Sequence, residues 1–150
     1  SWWESVTAPN PASPWVGSHP RSGQGSSPHA WGMAQANKVL LDSLVAQRFD
    51  GSLVIGRGIP DAWVRTGQSI SVTNFPTTDG HRLGFSISVH NRELTLTLTG
   101  DQPSGPVLLQ LPALVHNLAP SGVGTIDNPT GTVTLLPGAT HLTVKLVHDV

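Results

Sequence analysis

The feature that most constrains this chain runs from Arg82 to Thr99. Leu83, Phe85, Ile87 and Val89 alternate with small or polar residues, Asn91-Arg92 turns the chain, and Leu94, Leu96 and Leu98 alternate with Thr95, Thr97 and Thr99. In an extended chain successive side chains point to opposite faces, so a period of two gathers the apolar residues on one side. Two such runs joined by two residues make a β-hairpin with one dry face and one wet face. The dry face needs a second layer to cover it.

The rest of the C-terminal two thirds supplies that layer. Leu53-Val54-Ile55 reads as a short buried strand, stopped by Gly56 and Gly58, and Pro60 to Val64 as one helical turn. Ser69 to Phe75 is a strand of ambiguous facing, since Ile70, Val72 and Asn74 alternate against Ser71, Thr73 and Phe75. Thr78-Asp79-Gly80 is a hairpin turn. Val107 to Leu111 is a strand ended by Pro112, and Gly122 to Ile126 pairs with Gly131 to Leu136 around Asp127-Asn128-Pro129. His141 to His148 closes the chain with Leu142, Val144, Leu146 and His148 on one face. About seven or eight short strands with frequent turns predict a mainly β fold, an antiparallel β-sandwich. The 16 Gly and 13 Pro among 150 residues suit so many turns.

Ahead of the strands stands one helical pattern. Ser27-Pro28 offers a hydroxyl N-cap followed by proline at the first helical position. Ala30, Ala34, Leu41 and Val45 form one stripe, and Met33, Ala36, Leu40 and Leu44 an adjacent one. A face that wide suits packing inside a larger helical assembly. The helix is expected to end near Gln47, with Asp50-Gly51 as the turn. Gly32 is a poor interior helix residue, by about 1 kcal/mol against Ala. It makes sense where something approaches the backbone closely. Residues 5–27 hold Pro9, Pro11, Pro14 and Pro20, and no regular element is expected there. The boundaries that follow are residues 1–48, a terminal helical segment, and 52–150, a β-domain. Ser1-Trp2-Trp3-Glu4 places two large aromatics at a terminus, and the expectation is a front end belonging to a larger fold.

Composition removes several function classes. Eight Lys and Arg against nine Asp and Glu give a net charge of −1, which lacks the basic patch a nucleic-acid binder needs. No run approaches the ~18 apolar residues of a membrane span. Without cysteine there is no disulfide, thiolate nucleophile or thiolate metal ligand. Seven histidines invite a metal reading. However, His141 and His148 are an odd number apart, as are His81 and His90, so each pair faces opposite sides of a strand. No metal-binding spacing, nucleophile elbow or phosphate loop is present, and neither a metal nor a cofactor is expected. The Thr95, Thr97, Thr99 row reads as the solvated side of a sheet.

Four residues remain as candidates. Glu4 directly follows Trp2-Trp3, and partial desolvation there would raise its pKa towards acid–base values. His29 sits at a helix start, where the dipole disfavours the cation, so it would stay neutral and donate to a hydroxyl or orient a carboxylate. Trp15 and Trp31 offer ring faces for stacking on sugars. For Glu4 the competing explanation is an ordinary loop residue, for Trp15 and Trp31 core packing, and for His29 a helix-start histidine satisfied by its own loop.

The order of these elements resembles something known. Trp3-Glu4, a Pro/Gly-rich loop, Ser27-Pro28-His29-Ala30-Trp31-Gly32 opening an apolar helix, Ile59-Pro60-Asp61-Ala62-Trp63 and a β-domain together resemble the C-terminal end of bacterial (α/α)6-barrel glycoside hydrolases. The α-L-rhamnosidase-like enzymes and their relatives are of this type. The resemblance implies that residues 1–48 are the last strip of the barrel. It implies a sandwich packed against that barrel, Glu4 as general base of an inverting reaction, and His29, Trp31 and Trp15 around the sugar. The inverting mechanism needs a second carboxylic acid roughly 6.5–9.5 Å away, and no residue here presents itself for that role. The partners so implied are the N-terminal catalytic part of the same enzyme and an oligo- or polysaccharide, with an extracellular location. The competing classes are a stand-alone carbohydrate-binding sandwich, which should expose aromatics on a sheet face, and a structural interaction module docking through its helix.

Overall fold

The computed structural model describes residues 5–6, 23–24, 29–101, 103–120 and 124–150. The chain falls into two compact units, 1–41 and 42–150, and among the described residues it is mainly β with one α-helix.

In the first unit, β1 (Ser5–Val6) pairs antiparallel with β2 (Gly23–Gln24), Ser5 opposite Gln24. The proline-rich stretch thus does contain a regular element, a correction to the expectation of none. The two-residue strands avoid the proline positions, Ser5–Val6 lying ahead of Pro9 and Gly23–Gln24 between Pro20 and Pro28. Helix α1 spans Ala30–Leu44, and the first turn closes when Met33 N donates to His29 O at 3.0 Å. The Ser27-Pro28 cap lies outside the described residues. The helix buries none of its residues.

The helix ends three residues earlier than the periodicity predicts. Val45–Gln47 forms β3, an edge strand antiparallel to β4 (Leu53–Ile55), with Val45 opposite Ile55. Val45 is fully buried. Burying a valine under a sheet outweighs one more helical turn at a fraying end. Gly56 N donates to Leu44 O and Gly58 N to Ser43 O, both at 2.8 Å, so the helix's last carbonyls are satisfied by the chain returning past them.

The second unit holds two sheets. The first has five strands in the order β3-β4-β8-β10-β9, with β8 at Val107–Gln110, β9 at Gly124–Asp127 and β10 at Thr132–Leu135. Its pairs are antiparallel except β4 with β8, which is parallel. The second sheet has four antiparallel strands in the order β11-β7-β6-β5. These are β5 at Ser69–Pro76, β6 at Arg82–His90, β7 at Glu93–Gly100 and β11 at His141–Lys145. The apolar residues of both sheets form one core cluster, with Leu53, Ile55 and Leu109 from one sheet and Ile87, Leu94 and Leu96 from the other.

The constraining hairpin is present as the alternation requires. Leu83, Phe85, Ile87, Val89, Leu94, Leu96 and Leu98 are all buried. Its turn residues Asn91 and Arg92 both have positive φ, 49° and 59°, the combination that matches the right-handed twist of the flanking strands. The ambiguous strand β5 is resolved by a bulge. Its register shifts between Val72 and Phe75, and Asn74 sits at φ 58°. The inserted residue changes the phase, so Phe75 joins Ile70 and Val72 against the core instead of alternating with them.

The outer face of this sheet is a lattice of hydroxyls. Ser69, Ser88, Thr95 and Thr143 lie in one cross-strand row, and Ser71, Ser86, Thr97 and His141 in the next. The His141 ring bridges Thr97 and Thr143, each at 3.2 Å. The last strand stops at Lys145. His148 therefore lies outside it and is exposed, not aligned with Leu142 and Val144 on the core face. The extended run breaks because Leu146 N turns away to Arg92 O and Val147 N to Asn117 O.

Candidate functional site

Two of the four predicted site residues, Glu4 and Trp15, lie outside the described residues. The other two meet at the helix start. The rings of His29 and Trp31 are edge to face, with centroids 5.9 Å apart and planes at 73°. Aromatic quadrupoles favour this arrangement over face-to-face stacking. The indole is 70% exposed, so its other face is open and core packing within the described residues does not account for it.

The imidazole also explains Gly32. A Cβ at that position would lie 2.8 Å from His29 Nδ1. The close approach that the glycine signals is therefore made by the preceding turn's own histidine. Gly32 lets the imidazole fold back over the helix, and from there the ring touches Trp31. The rest of the helix presents Met33, Val39, Leu40 and Leu41, all exposed apolar side chains. For groups of such size, exposure forgoes about 25 cal/mol per Å² of burial.

The second unit holds a concavity that sequence reasoning did not assemble. The 3-10 turn Asp61–Trp63, the 3-10 turn Pro112–Leu114 with its exit, and the segment after β11 surround a cleft of about 680 Å³. Its polar lining is Asp61, Arg65, His116, Asn117, His148 and Asp149. Asn117 is 8% exposed and fixes two walls together. Its Nδ2 donates to Ala113 O at 3.4 Å and to His148 O at 3.3 Å, and its Oδ1 accepts from His148 N at 2.7 Å. His116 has φ 56° and donates its backbone N–H to Asn128 O at 2.9 Å. The Asn128 side chain clamps Leu118 from both sides, accepting from its N–H at 3.0 Å and donating to its carbonyl at 3.1 Å. A non-glycine residue in the left-handed region costs on the order of 1–2 kcal/mol. These neighbouring hydrogen bonds hold it there.

The side chains of Asp61, Arg65, His116 and His148 have no hydrogen-bond or ion-pair partner among the described residues. Asp149 lies 4.0 Å from Arg92 Nε at the rim. Elsewhere His81 meets Asp101 at 3.4 Å, and His90 Nε2 meets Asn91 Nδ2 at 3.0 Å. Among the described residues no three His, Asp or Glu side chains come together to hold a metal, and no helix is long and apolar enough to cross a membrane. A smaller cleft of about 470 Å³, walled by Pro103, Pro106, Leu136 and Pro137, has no ionisable side chain in its lining.

Compared with protein-family models, curated proteins and solved structures, the chain matches none.

Proposed function

We propose that this chain is the C-terminal portion of a secreted bacterial glycoside hydrolase. In this reading α1 and the residues before it complete the edge of the sugar site and stabilise an (α/α)6 barrel, and the β unit follows as a C-terminal domain. The observation that carries the reading is the helix itself. Its last residue, Leu44, packs against the β core, while none of its residues is fully buried and Trp31, Val39, Leu40 and Leu41 are exposed; that much bare apolar surface supports reading the helix as one edge of a larger helical assembly.

The exposed Trp31 face and the adjacent His29 imidazole suit a sugar wall: a ring for the apolar face of a pyranose and a nitrogen for a hydroxyl. Glu4 is assigned as the base that activates water, and Trp15 as a further sugar contact. The general acid comes from the rest of the barrel, and no cofactor takes part. The test is the Glu4→Gln variant of the full-length enzyme. Hydrolysis should fall by orders of magnitude with folding intact, and undiminished activity would exclude the base assignment.

The competing reading, a stand-alone module that binds carbohydrate through sheet aromatics, lacks its signature among the described residues. Phe85 is buried, Phe75 packs against the core, and the outer face of the four-stranded sheet carries Ser and Thr.

A further inference from the structure

We propose that the cleft between Asp61–Arg65, His116–Asn117 and His148–Asp149 is a binding site for a neutral saccharide. It lies wholly in the β unit and needs neither Glu4 nor a barrel.

Three segments far apart in sequence deliver a carboxylate, a guanidinium and two imidazoles to one concavity, and none of these side chains has a hydrogen-bond or ion-pair partner among the described residues. Asp61 only accepts, Arg65 only donates, and each neutral imidazole does one of each. A ligand that uses all of them must itself carry both donors and acceptors at close spacing, which is what vicinal hydroxyls are. Ala62, Pro112 and Val115 supply apolar surface in the same lining, and Val115 is 42% exposed. Such surface suits the C–H face of a sugar ring. The volume of about 680 Å³ lies within the usual range for small-ligand clefts.

Other ligand classes fit less well. An anion would meet two carboxylates, Asp61 and Asp149, against one guanidinium. A metal has no group of three ligands among the described residues. A peptide bound by strand addition needs a free strand edge, and these walls are 3-10 turns and their exits.

The walls are also fixed in advance. Asn117 spends its amide on Ala113 and His148 rather than on the cleft, and His116 is held in its left-handed conformation from Asn128. Preorganisation of this kind lowers the ordering cost of binding.

The experiment is an NMR titration of the 150-residue chain with neutral probes: L-rhamnose, D-galactose, xylotetraose, mannotetraose and cellotetraose, and in parallel inorganic phosphate and Ca²⁺. The expected result is saturable shifts of the Arg65, His116, Asn117 and His148 amides with at least one sugar, in the millimolar range. Arg65→Ala and Asp61→Asn should each weaken that binding by about tenfold with an unchanged Tm, since neither side chain has a partner among the described residues. The proposal is overturned if none of the five sugars shifts these amides, if phosphate or Ca²⁺ shifts them and the sugars do not, or if both variants bind as the parent does. Glu4→Gln should leave the titration unchanged. Loss of hydrolysis by that variant and loss of sugar binding by Arg65→Ala are therefore separate outcomes, and either can fail alone.

Discussion

Asn117 and His148 hold each other as two strands would, although neither lies in a strand. His148 N donates to the Asn117 amide oxygen at 2.7 Å, and the Asn117 amide nitrogen donates to His148 O at 3.3 Å. A side-chain amide has the donor and acceptor of a peptide group, so it can pair with a backbone where no backbone is within reach. Because Asn117 is buried, its replacement by a residue without an amide leaves the His148 N–H and C=O without these partners. Asn117→Ala should lose about 2–3 kcal/mol in urea unfolding. A loss under about 0.5 kcal/mol, the range of surface substitutions, would show that the amide does not tie the walls.

Two glycines with positive φ should respond differently to alanine. At Gly131, φ 63°, a Cβ would lie 2.6 Å from Leu111 O and 2.7 Å from Val115 N, both backbone atoms. At Gly138, φ 75°, a Cβ would meet nothing within 4 Å. Gly138→Ala should cost about 1–2 kcal/mol for the left-handed conformation alone. Gly131→Ala should cost roughly 3 kcal/mol or more, because a backbone clash is added. Equal losses in parallel thermal melts would remove the distinction.

The two faces of β7 make a sharper pair. Leu96 is fully buried and Thr97 is its outward neighbour. Leu96→Ala should destabilise by about 2–5 kcal/mol. Thr97→Ala should remain within about 0.5 kcal/mol, although it removes a contact to His141. Denaturant titration of both variants, with m-values compared, checks the assignment of dry and wet faces.

Asp50 gives a pH signature. The Ser52 hydroxyl donates to its carboxylate at 2.6 Å and the Ser52 N–H at 2.9 Å, and these hydrogen bonds hold the acid below its ordinary value. A lowered native pKa contributes stability above the unfolded value, roughly pH 3.9, and that contribution disappears as pH falls through the native value. Asp50→Asn keeps a neutral acceptor of similar shape. It should be less stable than the parent at pH 7, and the gap should close as pH is lowered past 4. A gap constant from pH 7 to pH 3 would contradict the linkage.

What could be read in the sequence was what depends on neighbours along the chain. The period of two from Leu83 to Leu98 fixed both faces of the central hairpin, because side-chain direction in a strand is a local property. The Asn91-Arg92 turn followed from the same alternation. Asn74 shows where that reading stops. One inserted residue reverses the facing of everything after it, and only pairing with β6 shows that it is inserted. Val45 shows a second boundary. Its spacing suits the helix, but the sheet takes it, and tertiary burial overrides propensity. The cleft was harder still, since Asp61, His116 and His148 come from three separate segments. The one local clue was His116-Asn117 directly after a proline-opened turn, a place where left-handed residues gather.

The parallel pairing of β4 with β8 has a kinetic consequence. Leu53 lies opposite Val107, about fifty residues further along, and β5, β6 and β7 all intervene. Closing a loop that long is slow and pays its entropy before contacts repay it. The β5–β6–β7 meander needs only short loops. It should therefore collapse first as an independent nucleus, with β8 threading in beside β4 as the late, rate-limiting event. Until then β4 presents a bare strand edge, the moment in its life when this chain is most exposed to misassembly.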